Sequence, residues 1–328
     1  MPSVPWRGWP AAGSDLPGRW SASTLIGGAG ARPAWFSTQG GKRMNALARK
    51  AATTGPLADA LEPRPPRAAV ALDVEDLASF DHGGAENERF WERLGGQPAL
   101  EGKSVLDVGS GWGRMATDLA KAGARSVLGL DIVPRLVEFA TANVAARHPL
   151  LAGRVEFRCL DLGDLDPAAR FDVIVSKDTF EHILDLEGML EAMKRHLNPG
   201  GRIYAGWGPL YKSPYGDHDR RRTAFATFGL GGRLLAAVPW GHLALEPLVV
   251  SLHAERGRHG ARSIRDLCLN GLGYSQYRRL IFRSGLSISR LRVNQSQSPL
   301  SRGLSLLAKV PGLDDYCIHN VYCVMERR

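Results

Sequence analysis

The stretch of sequence that decides the fold is Val105-Leu106-Asp107-Val108-Gly109-Ser110-Gly111-Trp112-Gly113-Arg114-Met115-Ala116. Its first residues form a short apolar run, which predicts a strand of a parallel sheet that is covered on both faces. The three alternating glycines weaken a helix, so they indicate a tight turn at which a ligand approaches the main chain. A helix over about 112–122 is predicted to follow, with its free N–H groups directed at that ligand.

A strand followed by a glycine turn and a helix can bind either of two kinds of nucleotide-like ligand. The dinucleotide fingerprint Gly-x-Gly-x-x-Gly fails here, because its sixth position is Arg114. The spacing present is Asp107-x-Gly109-x-Gly111-x-Gly113. This spacing resembles the first motif of class I S-adenosylmethionine (SAM) methyltransferases.

Four further motifs follow in the order and at the spacing of that family. Asp131-Ile132 ends the second predicted strand, 24 residues after Asp107, where an acid accepts hydrogen bonds from a ribose diol. Asp161-Leu162 ends the third strand, where the resemblance implies contact with the adenine amino group and face. The stretches 171–175 and 197–202 resemble the fourth motif and the turn before the fifth strand. Residues from about 100 to 208 therefore resemble a class I SAM-dependent methyltransferase of the small-molecule group.

The predicted fold class is α/β, a doubly wound Rossmann-like seven-stranded sheet with antiparallel closing strands. We predict its strands, in chain order, at 103–108, 126–132, 155–160, 171–176, 202–207, 286–293 and 316–325. Helices are predicted at 112–122, from Pro134 to about 147, at 186–197 and at about 277–285. A lead-in helix is predicted to end at Gly95-Gly96, with Phe90, Trp91 and Leu94 on its apolar face.

Three segments are predicted for the whole chain. Residues 1–70 are rich in Gly, Pro, Ala, Ser and Arg and predict a disordered or loosely attached extension, unless translation begins at Met44. Residues 71–328 are predicted to form the methyltransferase domain. Within it, 208–273 is an insertion with apolar and aromatic stretches, which we interpret as a cover over the substrate.

Composition narrows the functional classes. No run of about 18 apolar residues and no apolar leader occurs, and the four cysteines form no Cys-x-x-Cys pair, so we expect a cytoplasmic protein without a membrane span.

The net charge of +9 divides into +6 over 1–70, −7 over 71–210 and +10 over 211–328. A basic balance can indicate nucleic acid, but no basic-aromatic RNA-binding pattern accompanies it, so nucleic acid is not the expected partner. The oligomeric state is left open.

The residues after the fourth strand face the ligand edge of such a sheet. If this segment is helical, Asp178, Glu181 and His182 share one face. A similar Glu-x-x-Glu-His signature occurs in small-RNA 2′-O-methyltransferases and ubiquinone-pathway O-methyltransferases, and this resemblance implies a divalent cation such as Mg²⁺, although the first position here is Asp178. The motif does not identify the further ligand; His218 is the candidate and His242 the second choice. Two alternatives stay open: His182 acts as a general base beside Glu181, or the cluster only orders the loop.

The sequence therefore predicts a SAM-dependent methyltransferase with a small-molecule acceptor, methylated at oxygen. The alternatives are an RNA or protein methyltransferase and a non-catalytic SAM-binding module. Catalytic candidates are His182 and Glu181. The residues expected to bind SAM lie at the first four strand ends: Asp107, Gly109, Gly111, Gly113, Asp131, Ile132, Asp161, Leu162 and Lys177.

Overall fold

A seven-stranded mixed sheet organises the chain in this computed structural model. The structure describes residues 72–216, 228, 230–232, 234–235, 238, 241–255, 262–295 and 299–328. The strands are β1 (Ser104–Val108), β2 (Ser126–Asp131), β3 (Val155–Cys159), β4 (Phe171–Lys177), β5 (Leu197–Trp207), β6 (Leu286–Val293) and β7 (Val321–Arg327). The α-helices are α1 (Val74–Leu94), α2 (Arg114–Lys121), α3 (Pro134–Arg147), α4 (Leu186–His196), α5 (Gly241–Glu255), α6 (Tyr274–Arg283), α7 (Pro299–Leu307) and α8 (Asp314–Cys317).

The strand order β3-β2-β1-β4-β5-β7-β6 confirms the predicted fold class. Strands β1 to β5 pair in parallel, and β7 pairs antiparallel with both β5 and β6. The direction of winding reverses between β1 and β4, which lie side by side. In open α/β sheets ligands bind in the crevice at this reversal, beyond the carboxyl ends of the strands. The topology therefore places the glycine turn after β1 and the residues after β4 at one edge.

Apolar side chains cover both faces of the sheet, as its parallel strands require. One buried cluster includes Leu106, Ile174 and Trp207, and the other includes Val105, Val175 and Phe90. Successive residues of β1 point to opposite faces, and all five are buried. The predicted burial of Phe90, Trp91 and Leu94 in α1 is confirmed.

Helix α1, for which only the end was predicted, begins at Val74 and ends at Leu94, before Gly95, whose φ of 90° is the left-handed conformation that ends a helix. Most other predicted bounds agree with the structure to within one or two residues, and three differ by more. Helix α6 begins at Tyr274 rather than at about 277. Strand β5 begins at Leu197 rather than 202, because Leu197 pairs with Phe171 across an irregular register. The strand predicted from 316 is wrong at its start, since α8 occupies 314–317 and β7 begins at Val321.

The insertion at 208–273 contains helix α5, which the sequence analysis did not predict. The extension at 1–70 and His218 lie outside the described residues. Among the helices that the structure describes, none is long and apolar enough to cross a membrane.

Candidate active site

The three glycines of the turn after β1 all have positive φ angles, of 78°, 52° and 82°. A methyl group added at Gly109 would lie 2.3 Å from Thr179 Oγ1, and one added at Gly113 would lie 2.6 Å from Phe157 Cζ. At Gly111 the same methyl group would meet no atom of the described residues within 4 Å. The outer glycines therefore allow close packing, whereas the middle one borders open space at the sheet edge.

Asp131, at the end of β2, lies beside this turn and accepts a hydrogen bond from it. Its Oδ2 accepts a hydrogen bond from Gly111 N at 2.8 Å, and its Oδ1 accepts one from Val133 N at 2.9 Å. Burial raises the pKa of this carboxyl group. The next side chain, Ile132, is 49% exposed, which is unusual for a large aliphatic residue and leaves apolar surface beside the open space.

Asp107 lies under the turn and carries an unsatisfied atom. The residue is 2% exposed, and its Oδ2 has no hydrogen-bond partner among the described residues. Burial raises the pKa of Asp107 to about 7; Lys177 opposes this rise and the charge of Asp131 adds to it. A buried carboxylate without a partner is costly, so this position favours a cationic ligand.

Helix α1 closes over the turn through polar contacts that the sequence analysis missed. The buried Asp76 accepts hydrogen bonds from Trp112 Nε1, at 2.8 Å, and from Arg135. Lys177, which we expected at the cofactor, has its Nζ 3.3 Å from Glu86 Oε2 in the same helix. The sequence did hold one indication of these contacts, which is Trp112 within the glycine turn. An indole N–H that leaves solvent needs a hydrogen-bond acceptor, and Asp76 supplies it.

The pair at the end of β3 lies at the same edge. Asp161 Oδ1 accepts a hydrogen bond from Gly163 N at 2.8 Å and caps a 3₁₀ turn over Leu162–Asp164. The Leu162 side chain is buried in the core. An adenine contact at this pair, which stays a prediction, therefore depends on the Asp161 carboxylate and on main-chain atoms.

The segment after β4 does not form the predicted helical face. Asp178 has a φ of 51°, and a 3₁₀ turn follows over Phe180–His182. Asp178 is 54% exposed and lies 3.6 Å from Lys177 Nζ, whereas His182 Nδ1 lies 3.1 Å from the Cys268 carbonyl. Because a left-handed residue interrupts the segment, its acids and imidazole turn to different partners.

Glu181 is the buried member of that cluster. It is 4% exposed, its Oε1 accepts a hydrogen bond from Gly208 N at 3.2 Å, and its Oε2 has no partner among the described residues. Burial, with a smaller contribution from the charge of Asp178, raises the pKa of Glu181 to about 8.

The predicted cation site receives no support from these positions. No group of three or more His, Cys, Asp or Glu side chains within the described ranges is arranged to hold a metal ion. Of the further ligands considered, His218 lies outside those ranges. The second choice, His242, is buried between the rings of Tyr211 and Tyr316, with centroid distances of 5.7 and 5.9 Å.

Three more polar residues line this edge without any sequence motif. Arg93 of α1 donates a hydrogen bond to Tyr322 Oη at 2.5 Å, across 229 residues of sequence. His319 precedes β7, and the Arg93 charge is close enough to contribute to lowering its pKa. Contacts between such distant segments leave no local spacing that a sequence pattern reveals.

Comparison with known proteins agrees with this geometry. Residues 105–201 match the family described as "Methyltransferase domain". A ubiquinone biosynthesis O-methyltransferase of Idiomarina loihiensis is 36% identical over 155 residues, which cover 40% of this chain and 60% of that protein. The mitochondrial human protein of that name is 35% identical over 111 residues, 33% of this chain and 29% of its own length.

Among solved structures, a putative S-adenosylmethionine-dependent methyltransferase from Listeria monocytogenes is similar at 16% identity with a TM-score of 0.49. That alignment covers 75% of this chain and 99% of the other. The chain thus matches at most 60% of the length of the two relatives compared in sequence.

Proposed function

We propose that the chain is a class I SAM-dependent methyltransferase that transfers a methyl group from SAM to a hydroxyl oxygen of a small molecule. One observation carries the proposal. The open space above Gly111 is bordered by the Asp131 carboxylate, by the exposed Ile132 side chain and by the unsatisfied Asp107.

These residues suit the parts of SAM. Each Asp131 oxygen already accepts one amide hydrogen and has a lone pair left for the ribose diol. Ile132 offers an apolar surface to the adenine ring, and Asp107 balances the positive charge of the cofactor. SAM supplies a methyl group that its sulfonium already activates. The protein's task is then to align the acceptor oxygen and, where needed, to remove its proton.

Methylation at oxygen is supported by two independent features. Both relatives compared in sequence are named O-methyltransferases. In addition, the unpaired Oε2 of the buried Glu181 is a carboxyl oxygen at the acceptor edge that, in its ionised form, can take up a proton from a hydroxyl; because its pKa is raised to about 8, this ionised form predominates above about pH 8. We therefore assign the role of general base to Glu181. His182 is left an orienting role, because its Nδ1 lies 3.1 Å from the Cys268 carbonyl.

A methyl-transfer assay with purified protein and isotope-labelled SAM tests this function. The acceptors are a panel of phenols and catechols, with bulk RNA and a protein lysate as the competing classes. We expect mass spectrometry to show the gain of one methyl group on a phenolic product, and Glu181→Gln to lower kcat while leaving SAM affinity unchanged. Label that enters only RNA or protein, or SAM binding without any transfer, contradicts the proposal.

A further inference from the structure

His319 lies against the part of the site that faces the acceptor. Strand β5 ends at Trp207, which pairs with Val321, so residues 208 and 320 meet at the ligand edge of the sheet. The His319 carbonyl accepts a hydrogen bond from Leu210 N at 2.8 Å. A methyl group added at Gly208 would lie 2.6 Å from that carbonyl oxygen, and Gly208 N donates to Glu181. His319 and the proposed base therefore contact the same glycine.

The main chain around His319 is fixed by Asn294, a buried residue at the end of β6. Asn294 Oδ1 accepts a hydrogen bond from His319 N at 2.8 Å, and its Nδ2 donates to the Cys317 carbonyl at 2.9 Å. The imidazole packs on the Tyr215 ring with a centroid distance of 4.8 Å. Contacts of this kind restrict the orientation of a functional side chain before its ligand binds.

The hydrogen bonds assign the proton of the imidazole. Ser301 Oγ lies 3.3 Å from His319 Nε2 and donates its one proton to the Asn294 carbonyl at 3.2 Å. The two contacts of Ser301 are satisfied together when Nε2 carries a proton and donates it to Ser301, and we assign this tautomer, which leaves the lone pair on Nδ1. Burial, and to a smaller extent the Arg93 charge, lowers the pKa of His319 to about 4, so the ring is neutral at physiological pH.

The remaining nitrogen is a hydrogen-bond acceptor without a partner. His319 is 5% exposed, and its Nδ1 has no hydrogen-bond partner among the described residues. Leaving a buried polar atom unpaired costs free energy, so such an atom calls for an explanation. A ligand that brings a donor to Nδ1 removes this cost.

We propose that His319 Nδ1 accepts a hydrogen bond from a hydroxyl group of the acceptor molecule, which makes His319 a specificity-determining residue of the acceptor site. The inference rests on the proposed function, because it requires a small hydroxylated acceptor. A neutral nitrogen lone pair favours a hydroxyl over an ether or a carboxylate, since only the hydroxyl brings a proton. A site built to pair with a hydroxyl discriminates strongly against analogues that lack it.

The test compares His319→Phe with a matched change elsewhere. Phenylalanine keeps an aromatic ring against Tyr215 and removes Nδ1. We expect kcat/KM for catechol to fall at least about tenfold, because a binding hydrogen bond is lost. SAM affinity should be unchanged and the melting temperature close to that of the wild type, because removal of the unpaired Nδ1 offsets loss of the hydrogen bond between Nε2 and Ser301. His148→Phe is the control, since His148 also has a buried ring nitrogen without a partner in the described ranges but follows α3, at the far end of that helix from the ligand edge.

His319→Asn adds a rescue arm, because an asparagine oxygen can stand near the position of Nδ1. We expect it to recover part of the catechol activity that His319→Phe loses. Equal kcat/KM values for wild type and His319→Phe overturn the inference, as does an equal loss in His148→Phe. Wild-type protein that binds SAM but methylates no phenol or catechol contradicts the proposed function instead.

A spectroscopic arm tests the inference without turnover. Nitrogen NMR of isotope-labelled histidine, in the complex with S-adenosylhomocysteine, should show His319 protonated at Nε2. Addition of catechol should then shift the Nδ1 resonance of His319 and leave that of His148 unchanged. A proton found on Nδ1, or bound catechol that shifts neither nitrogen of His319, overturns the proposal.

Discussion

The cofactor side of the site is formed by residues close together in sequence, whereas the acceptor side is formed by residues far apart in sequence. On the cofactor side, Asp131 holds Gly111 across 20 residues, and the strand ends that border the open space all fall within 105–164. On the acceptor side, His182 meets Cys268 across 86 residues, and Arg93 meets Tyr322 across 229. The family match at 105–201 includes the whole first set and only the Glu181 segment of the second.

The difference means that short segments near one another in sequence form the cofactor side, whereas the insertion and the last strands determine the geometry of the acceptor side. A strand, a turn and a helix form the cofactor side, and their geometry follows from local backbone preferences. The acceptor side needs α1, the loop after β4, the insertion and the segment before β7 to come together. Substitutions on the two sides should therefore change different measured quantities.

The largest expected effect is on the cofactor side, at Asp131→Ala. The change removes the hydrogen bonds that Asp131 accepts from Gly111 N in the turn and from Val133 N before α3, together with the proposed ribose contact, and bonds to a charged group are each worth about 1.5–3 kcal/mol. We expect SAM affinity, measured by calorimetry, to fall by about two orders of magnitude or more. Asp161→Ala is the comparison variant and should lose less, because the hydrogen bond of Asp161 to Gly163 N is exposed. Unchanged SAM affinity in Asp131→Ala would make the cofactor assignment wrong.

The second prediction is that alanine has different effects at Gly111 and Gly113, two glycines of the same turn. Alanine at either position adds about 1 kcal/mol of left-handed backbone strain. Gly113→Ala also forces its methyl group against Phe157 and Ala140, for which overpacking costs typically about 1–3 kcal/mol. Gly111→Ala meets no atom of the described residues, and its methyl group extends into the space proposed for SAM.

We therefore expect Gly113→Ala to lower the free energy of unfolding more than Gly111→Ala does, and Gly111→Ala to lower SAM affinity at nearly wild-type stability. Denaturant titration and calorimetry on both variants measure the two quantities. If both variants lose stability equally and bind SAM equally, the middle glycine does not border the cofactor.

The sequence predicted the parallel half of the sheet because β1, β2 and β4 are short, mainly apolar runs, each followed by a turn or a helix. Asp107 and Asp131 could be placed because strand ends lie at one edge in this topology. The prediction failed at Asp178, since a spacing of i, i+3 and i+4 presumes a helix that its φ of 51° interrupts. His319 and Arg93 had no pattern at all, because only the folded sheet brings residues so distant in sequence to the same edge.

The third prediction is a change of about tenfold in SAM affinity with pH, caused by ionisation of Asp107 under the turn. Asp107 titrates with a pKa of about 7 in the free protein, and a cationic cofactor favours its ionised form. At pH 6 the group is mostly protonated and must lose its proton on binding, so SAM affinity should be about tenfold lower than at pH 8. The affinity should rise with pH through 7 and then level off.

Calorimetry in two buffers of different ionisation enthalpy measures this proton release directly. Asp107→Asn should remove the pH dependence, whereas Glu181→Gln on the acceptor side should retain it. If the SAM affinity of the wild type does not vary between pH 6 and 8, Asp107 does not balance the positive charge of the cofactor.

The smallest expected effect is that of a chelator, and it tests whether the acceptor side works through its own side chains. A divalent cation would need Asp178, Glu181 and His182 to converge, yet they pair with Lys177, Gly208 and Cys268. We expect excess EDTA to change the methylation rate less than about twofold, because divalent sites require several converging ligands. Loss of activity that added Mg²⁺ restores would mean that residues outside the described ranges complete a site, and the acceptor side would then depend on metal as well as on Glu181.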